Sequence, residues 1–262
     1  MAERANTPQE LEAGKQSLVK RADQSLAVPD AEAGNRAGLD HLQQSDLKMP
    51  RLALAQKMSH EVDPDDPRYI DGLRVGDLFN DLTQMVYDQP LEFTVVRADA
   101  PHWIEFLPRT EGGGVKDMDV PEGDPRTLFT KDANGRSIPP VATKFYDFVV
   151  MLLPSQEVVS LSLKSTGIPV AKQLNALMVM RNAPCYSGKY ALTSGEGKNA
   201  KGVFKVYRVK NAGKTNDEDR AVAAQMYQNL KGRIIDINRT PDADDSMGAN
   251  PEGDGVGFAP SM

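Results

Sequence analysis

Few side chains in this sequence are spaced for chemistry on a small substrate. Its three histidines, His41, His60 and His102, include no pair at metal-ligand spacing, and His60–Glu61 lacks the second histidine of a zinc-binding helix. They read as solvated side chains. The single cysteine, Cys185, has no disulfide partner and no His or Asp at a diagnostic local spacing, so it reads as a buried or inert thiol. Asp63, Asp65 and Asp66 lack the glycine and closing glutamate of a calcium loop. Gly195-Glu-Gly-Lys-Asn has the look of a phosphate loop, but Leu192 stands where the first glycine belongs. Asn199 stands where Ser or Thr must follow the lysine, so the segment reads as a hairpin turn. No carboxylate pair can be singled out among 37 acids. The expectation is a protein with no catalytic residue, no metal and no cofactor.

The chemistry that remains is the binding of a polyanion. The net charge of −6 argues against it until its distribution is considered. From Lys164 to Lys214, eight Lys and two Arg face one acid, Glu196, a surplus of nine positive charges in 51 residues. The remainder of the chain then carries −15. Such segregation creates a local field that the average conceals. Aromatic residues are interleaved with the cations: Tyr186, Tyr190, Phe204 and Tyr207 lie among Lys189, Lys198, Lys201, Lys205, Arg208 and Lys210. Lys164, Lys172 and Arg181 precede them. Single-stranded nucleic acid is held by a positive groove along its backbone with rings beneath its bases, each stack contributing about 1–3 kcal/mol whatever the base.

On a strand over 202–210, Lys205 shares a face with Tyr207, while Arg208 and Lys210 share the other with Phe204 and Val206. One face must pack inward, so about half of these rings can meet a ligand. The bland alternative, ordinary strand aromatics and a solubilising lysine face, leaves the concentration of charge unexplained.

The elements that must position these residues follow from periodicity. Leu52 and Leu54 mark a short strand, ended by the turn Asp63–Pro67, and Asp77–Leu82 is a further strand candidate. Leu91–Ala98 and Trp103–Leu107 read as strands, Phe145–Leu153 as a central strand buried on both faces, and Glu157–Lys164 as its alternating partner. Ser165 or Thr166 offers an N-cap, Pro169 suits a first helical turn, and Ile168, Ala171, Leu174, Leu177 and Met178 give a helix over 167–182. Strands Ser187–Thr193 and Gly202–Lys210 follow, joined by a turn at Ser194–Gly197. Asn216 and the acids Asp217, Glu218 and Asp219 open a last helix, with Val222, Met226 and Leu230 on one face and Lys231–Gly232 closing it.

This order fits a mainly β, α+β protein: an OB-like Greek-key barrel with one helix between its third and fourth strands, plus a C-terminal helix. Three regions are expected. Residues 1–45 form a disordered or weakly helical arm, and 46–237 form one OB-like nucleic-acid-binding domain in which 108–140, rich in Gly, Pro and Asp, is a long flexible loop or hairpin. Residues 238–262 form an acidic disordered tail. No run approaches the roughly 18 apolar residues of a membrane span, and the N-terminus has no signal-like apolar core, so the expectation is a cytoplasmic protein without membrane contact.

The tail carries Asp242, Asp244, Asp245, Glu252 and Asp254, no base, and one aromatic, Phe258. It could occupy the protein's own basic groove or contact partner proteins, with Phe258 as an anchor; a purely solubilising tail is the alternative.

Several short motifs give the chain a likeness to known proteins: Asp46-Leu-Lys-Met-Pro-Arg-Leu-Ala-Leu-Ala-Gln, Gly76-Asp77 with Phe79, Leu161-Ser162, Ser165 with Ala171-Lys172-Gln-Leu-Asn175, and Lys201-Gly202. Over roughly residues 46–210 the chain resembles bacteriophage single-stranded DNA-binding proteins from replication gene neighbourhoods. The resemblance implies an OB-like core that coats single strands without sequence preference, and an acidic C-terminus that contacts replication or recombination proteins. The tail ends Gly-Phe-Ala-Pro-Ser-Met rather than at an aromatic residue, and the segment 108–140 has no counterpart in that pattern.

The expected function is therefore non-enzymatic binding of single-stranded DNA in phage replication or recombination, compatible with a homo-oligomer. A virion structural or cargo protein touching packaged genome is the chief alternative. An enzyme with a dispersed site, such as a nuclease using paired aspartates, is a second.

Overall fold

A computed structural model describes residues 48–199 and 202–232. The expectations for the N-terminal arm, for Lys201 and for the acidic tail, including Asp242, Asp244, Asp245, Glu252, Asp254 and Phe258, fall outside the described residues. Those described form a mainly β protein with antiparallel sheets and two α-helices. None of its described helices is long and apolar enough to cross a membrane.

The alternating leucines near the start form β1 (Leu52–Leu54), with Leu52 and Leu54 buried in the main core. β2 (Leu78–Asn80) pairs with it, and β3 (Val86–Tyr87), a two-residue strand too short to leave a sequence signal, pairs with β2. Next come β4 (Leu91–Ala98) and β5 (His102–Phe106).

The segment that follows contains β6 (Val115–Asp117) and a small hairpin of β7 (Thr130–Lys131) and β8 (Ser137–Ile138). Between them a 3-10 turn at Pro125–Thr127 is capped by the Asp124 carboxylate. Arg126 ties this segment down, donating to Glu105 at 2.7 Å and to Asp117 and Asp124 at 2.9 Å.

β9 (Thr143–Leu152) is central, as its apolar run requires. One edge pairs with β10 (Val158–Lys164), from Val158↔Met151 to Lys164↔Phe145. The other edge takes β4 and β5 end to end, Phe93 opposite Leu152 and His102 opposite Phe145.

The inner face of this sheet carries Phe93, Val95, Phe148, Val150, Leu161 and Leu163, sealed by Ala171 and Leu174 of α1 (Ile168–Met180). Each fully buried side chain of this size contributes about 1.5–3 kcal/mol. Neither Ser165 nor Thr166 caps α1; they lie in a 3-10 turn leading to Gly167, which is buried beside Leu163.

β11 (Gly188–Asn199) pairs with β4 over Lys189–Leu192 and then continues alone with β12 (Gly202–Lys214). Ser194–Gly197 is therefore strand rather than turn: both strands run on past the predicted bend to the pair Asn199↔Gly202. α2 (Asp217–Leu230) starts where predicted, with Asn216 Oδ1 accepting from the Asp219 amide at 2.7 Å. It lays Ala223, Val222, Met226 and Leu230 on the outer face of the sheet, over Val96, Val149 and Met151.

The expected closed barrel does not form. Among the described residues no strand pairing joins β10 to β12. β1 stands in that seam instead. Its neighbour Arg51 makes one isolated bridge to Ser160 of β10, and Ser160 N donates to Pro50 O at 2.8 Å. Toward β12 the bonds come from side chains. Gln56 donates to Lys205 O at 2.8 Å and accepts from Lys205 N at 3.0 Å, and the Tyr207 hydroxyl donates to Leu52 O at 3.3 Å.

Candidate nucleic-acid interface

The register of β11 with β12 sorts the predicted site into two faces. Leu192↔Val209, Ser194↔Tyr207 and Glu196↔Lys205 continue the inner face. Ala191↔Lys210, Thr193↔Arg208, Gly195↔Val206 and Gly197↔Phe204 form the outer face, clear of the main core.

Of the four predicted stacking rings, one is sealed in the core and the other three are half-buried. Tyr190 is fully buried, 5.6 Å from the Phe93 ring, with the Arg181 guanidinium 5.4 Å from its ring centre, and burial pushes its phenol pKa up. Tyr207 packs on the core through its ring and bonds Leu52 through its hydroxyl. Tyr186 lies in the 3-10 turn before β11, with its ring 5.9 Å from Tyr227 of α2. The pairing of Tyr190 with Phe93 of β4 fixes the phase of β11, and a register shift between Lys189 and Tyr190 falls at the hairpin base. As a base platform, Tyr190 is therefore corrected to a packing residue, while Tyr186 and Tyr207 pack on their neighbours and stay half-buried.

Phe204 remains on the outer face. Its ring lies across Gly197, where an added Cβ would come within 2.7 Å of it. Arg208 lies in the same way across Gly195, and its Nη2 reaches the Glu196 carbonyl at 3.4 Å. Two glycines on alternate residues of a strand thus seat a ring and a guanidinium flat against the main chain. The signal was legible as Gly-x-Gly, whose period of two belongs to a strand face as much as to a turn.

The cations divide likewise. Arg208 and Lys210 are exposed beside Phe204 on the outer face, and Lys189 continues that face at the hairpin base, paired with Glu92 at 3.1 Å. Lys205 lies on the other face, paired with Glu196 at 3.1 Å. Lys198 is exposed near the hairpin tip, and Lys172 is exposed on α1. Arg181 is committed to the Asn211 side chain and the Gly213 carbonyl, a structural role. Lys164 belongs to another part of the sheet, over the Phe145 ring at 5.4 Å.

What the hairpin assembles is therefore a stripe of Phe204, Val206, Arg208 and Lys210 with Lys189 beyond it, about 20 Å long between Phe204 and Lys210 at strand rise. Such a stripe can neutralise phosphates and offer one ring for stacking. Cys185 is half-buried, its Sγ donating to Val96 O at 3.2 Å, and burial raises its pKa, which suits an inert thiol.

A family model described as Pam3 phage gp34-like protein matches residues 19–235. The chain belongs to that family. No curated protein and no solved structure matches it. Membership supports the phage origin read from the sequence, and the match spans every described strand and both described helices of this gp34-like chain.

Proposed function

We propose that this gp34-like protein is a non-enzymatic single-stranded DNA-binding protein that coats DNA without sequence preference in phage replication or recombination. The observation that carries the reading is the outer face of the β11–β12 hairpin, where a half-buried Phe204 lies across Gly197 beside exposed Arg208 and Lys210, with no acid among their facing partners Gly197, Thr193 and Ala191.

The path of the chain supports an OB-like scaffold. The interrupted strand β4–β5, then β9, β10, α1, β11 and β12, run in the order of five strands with a helix between the third and fourth. β11, β4, β9 and β10 lie side by side in the 4-1-2-3 arrangement of a Greek key. The seam filled by β1 is where the likeness is incomplete.

Fluorescence anisotropy with labelled oligo-dT tests the function. Binding weakens steeply with salt, the log–log slope being about 0.7 per phosphate neutralised on a single strand. Duplex of the same length binds more weakly, because its bases are already stacked. Equal affinity for duplex and single strand would remove the stacking role of Phe204. No salt-dependent binding to either would sink the reading.

A further inference from the structure

A second surface, on β5 and β9, has the ingredients sought on the hairpin and lies outside every residue assigned to it above except Lys164. Trp103 and Lys144 face each other across these strands, and Lys144 Nζ stands 5.2 Å from the Trp103 ring centre and 6.0 Å from that of Tyr146. On the opposite face of β9, Lys164 lies over Phe145, which is flanked by His102 at 5.8 Å and Phe106 at 6.0 Å. Two of the four cation–ring contacts among the described residues belong to Lys144 on the Trp103 face, and a third, Lys164 over Phe145, lies on the other face of the sheet.

The Trp103 side of this patch is open to exchange. Trp103 is only half-buried: its indole Nε1 is shielded from solvent and has no hydrogen-bond acceptor among the described residues, while part of the ring stays open. Lys144 is held by one carboxylate, Glu122, at 3.1 Å, whose side chain is 81% exposed. An ion pair of that kind binds weakly, so a phosphate can replace the carboxylate.

We propose that Trp103 and Lys144 form a second contact for single-stranded nucleic acid. Lys144 releases Glu122 and pairs with a phosphate, and a base stacks on the uncovered part of the Trp103 ring. The proposal rests on the nucleic-acid reading of the hairpin and extends it to a second site on the sheet.

Trp103 is the only tryptophan in the chain, so its emission reports on this surface alone. Titrating the full chain with oligo-dT, followed by anisotropy and tryptophan emission together, is expected to quench Trp103 in step with binding. Lys144→Met keeps the apolar stem over the ring and removes the charge; it is expected to lower the log–log salt slope by about 0.7, the value of one single-strand phosphate contact. If Lys144→Met lowers thermal stability, Glu122→Gln gives the same test with opposite sign, since freeing Lys144 tightens binding. Oligo-dT binding that depends on Arg208, with Trp103 emission unchanged and both variants binding like the parent, overturns the second contact and leaves the hairpin reading intact. Absence of oligo-dT binding at any salt overturns both.

Discussion

At the scale of single residues, the hairpin separates side chains of one type into different roles. Phe204 and Tyr190 are both aromatic strand residues, yet Phe204 lies across Gly197 on the outer face and Tyr190 is sealed in the core. Phe204→Ala is expected to weaken oligo-dT binding about fivefold or more, the cost of one lost stack, with thermal stability unchanged. Tyr190→Ala, by contrast, is expected to cost about 3–5 kcal/mol of stability as a large-to-small core change, measured by denaturant unfolding. Equal effects of the two on binding and stability would mean that their faces are assigned wrongly. Glu196 works against the stripe's field: its exposed carboxylate holds Lys205 at 3.1 Å. Glu196→Gln is expected to tighten oligo-dT binding at low salt by fivefold at most, about the range of an exposed ion pair, and to have no effect at high salt. The residue types and their concentration were readable directly from the chain. Which rings face outward was not, because alternation fixes that neighbours oppose each other without fixing the phase, which the pairing of Tyr190 with Phe93 settles here.

At the scale of elements, legibility followed the strength of the local signal. Leu91–Ala98 alternates and is bounded by turns, and its predicted limits coincide with those of β4. α2 announces itself through Asn216 and three acids in its first turn. Ser194–Gly197 misled because two glycines and a glutamate suit a turn, whereas the glycines serve side chains crossing from the partner strand. The segment between β5 and β9 could be read only as a long flexible loop or hairpin, because much of its order comes from charge, which has no period. Arg126 converges on Glu105, Asp117 and Asp124, and these bonds hold all three carboxyls below their ordinary range, Asp124 at about 2, with Lys116 the larger influence on Glu105. Depressed carboxyl values stabilise the folded arrangement at every pH above the unfolded value of about 4, and the contribution is lost as pH falls from there toward about 2. Amide exchange in residues 115–140 is therefore expected to be steady from neutral pH down to about 4 and to quicken below it, relative to β9. Arg126→Met should give the quickened exchange already at neutral pH. Protection that persists unchanged to pH 2 in the parent would show that apolar packing, not the Arg126 cluster, anchors the segment.

At the scale of the whole molecule, two features depend on parts of the chain far apart in sequence. The first is the seam between β10 and β12, which β1 fills through Gln56, a residue 149 positions from the Lys205 backbone it binds. A single amide meeting a main-chain pair at that separation leaves no periodic trace, so the open sheet could not be told from a closed barrel beforehand. The second is the segregation of charge, and it was fully legible. Residues 164–214 carry a surplus of nine positive charges, while Thr240–Met262 carries five acids and no base. Opposite charges on one chain attract at an effective concentration set by the linking segment, so the proposed function carries the expectation that the acidic stretch competes with phosphates for the same cations. Removing residues 240–262 is accordingly expected to raise oligo-dT affinity at low salt. The gain should fade as salt rises, because the Debye length shrinks from about 30 Å at 0.01 M to about 8 Å at 0.15 M and the competition is screened. Combining the truncation with Glu196→Gln distinguishes the sources of relief: the tail acts on the whole basic surface and Glu196 on Lys205, so the two gains add in free energy if they are independent. An affinity indifferent to the truncation at every salt concentration would show that the acidic stretch never reaches the basic surface, and its charge would then have to be explained by contact with other proteins.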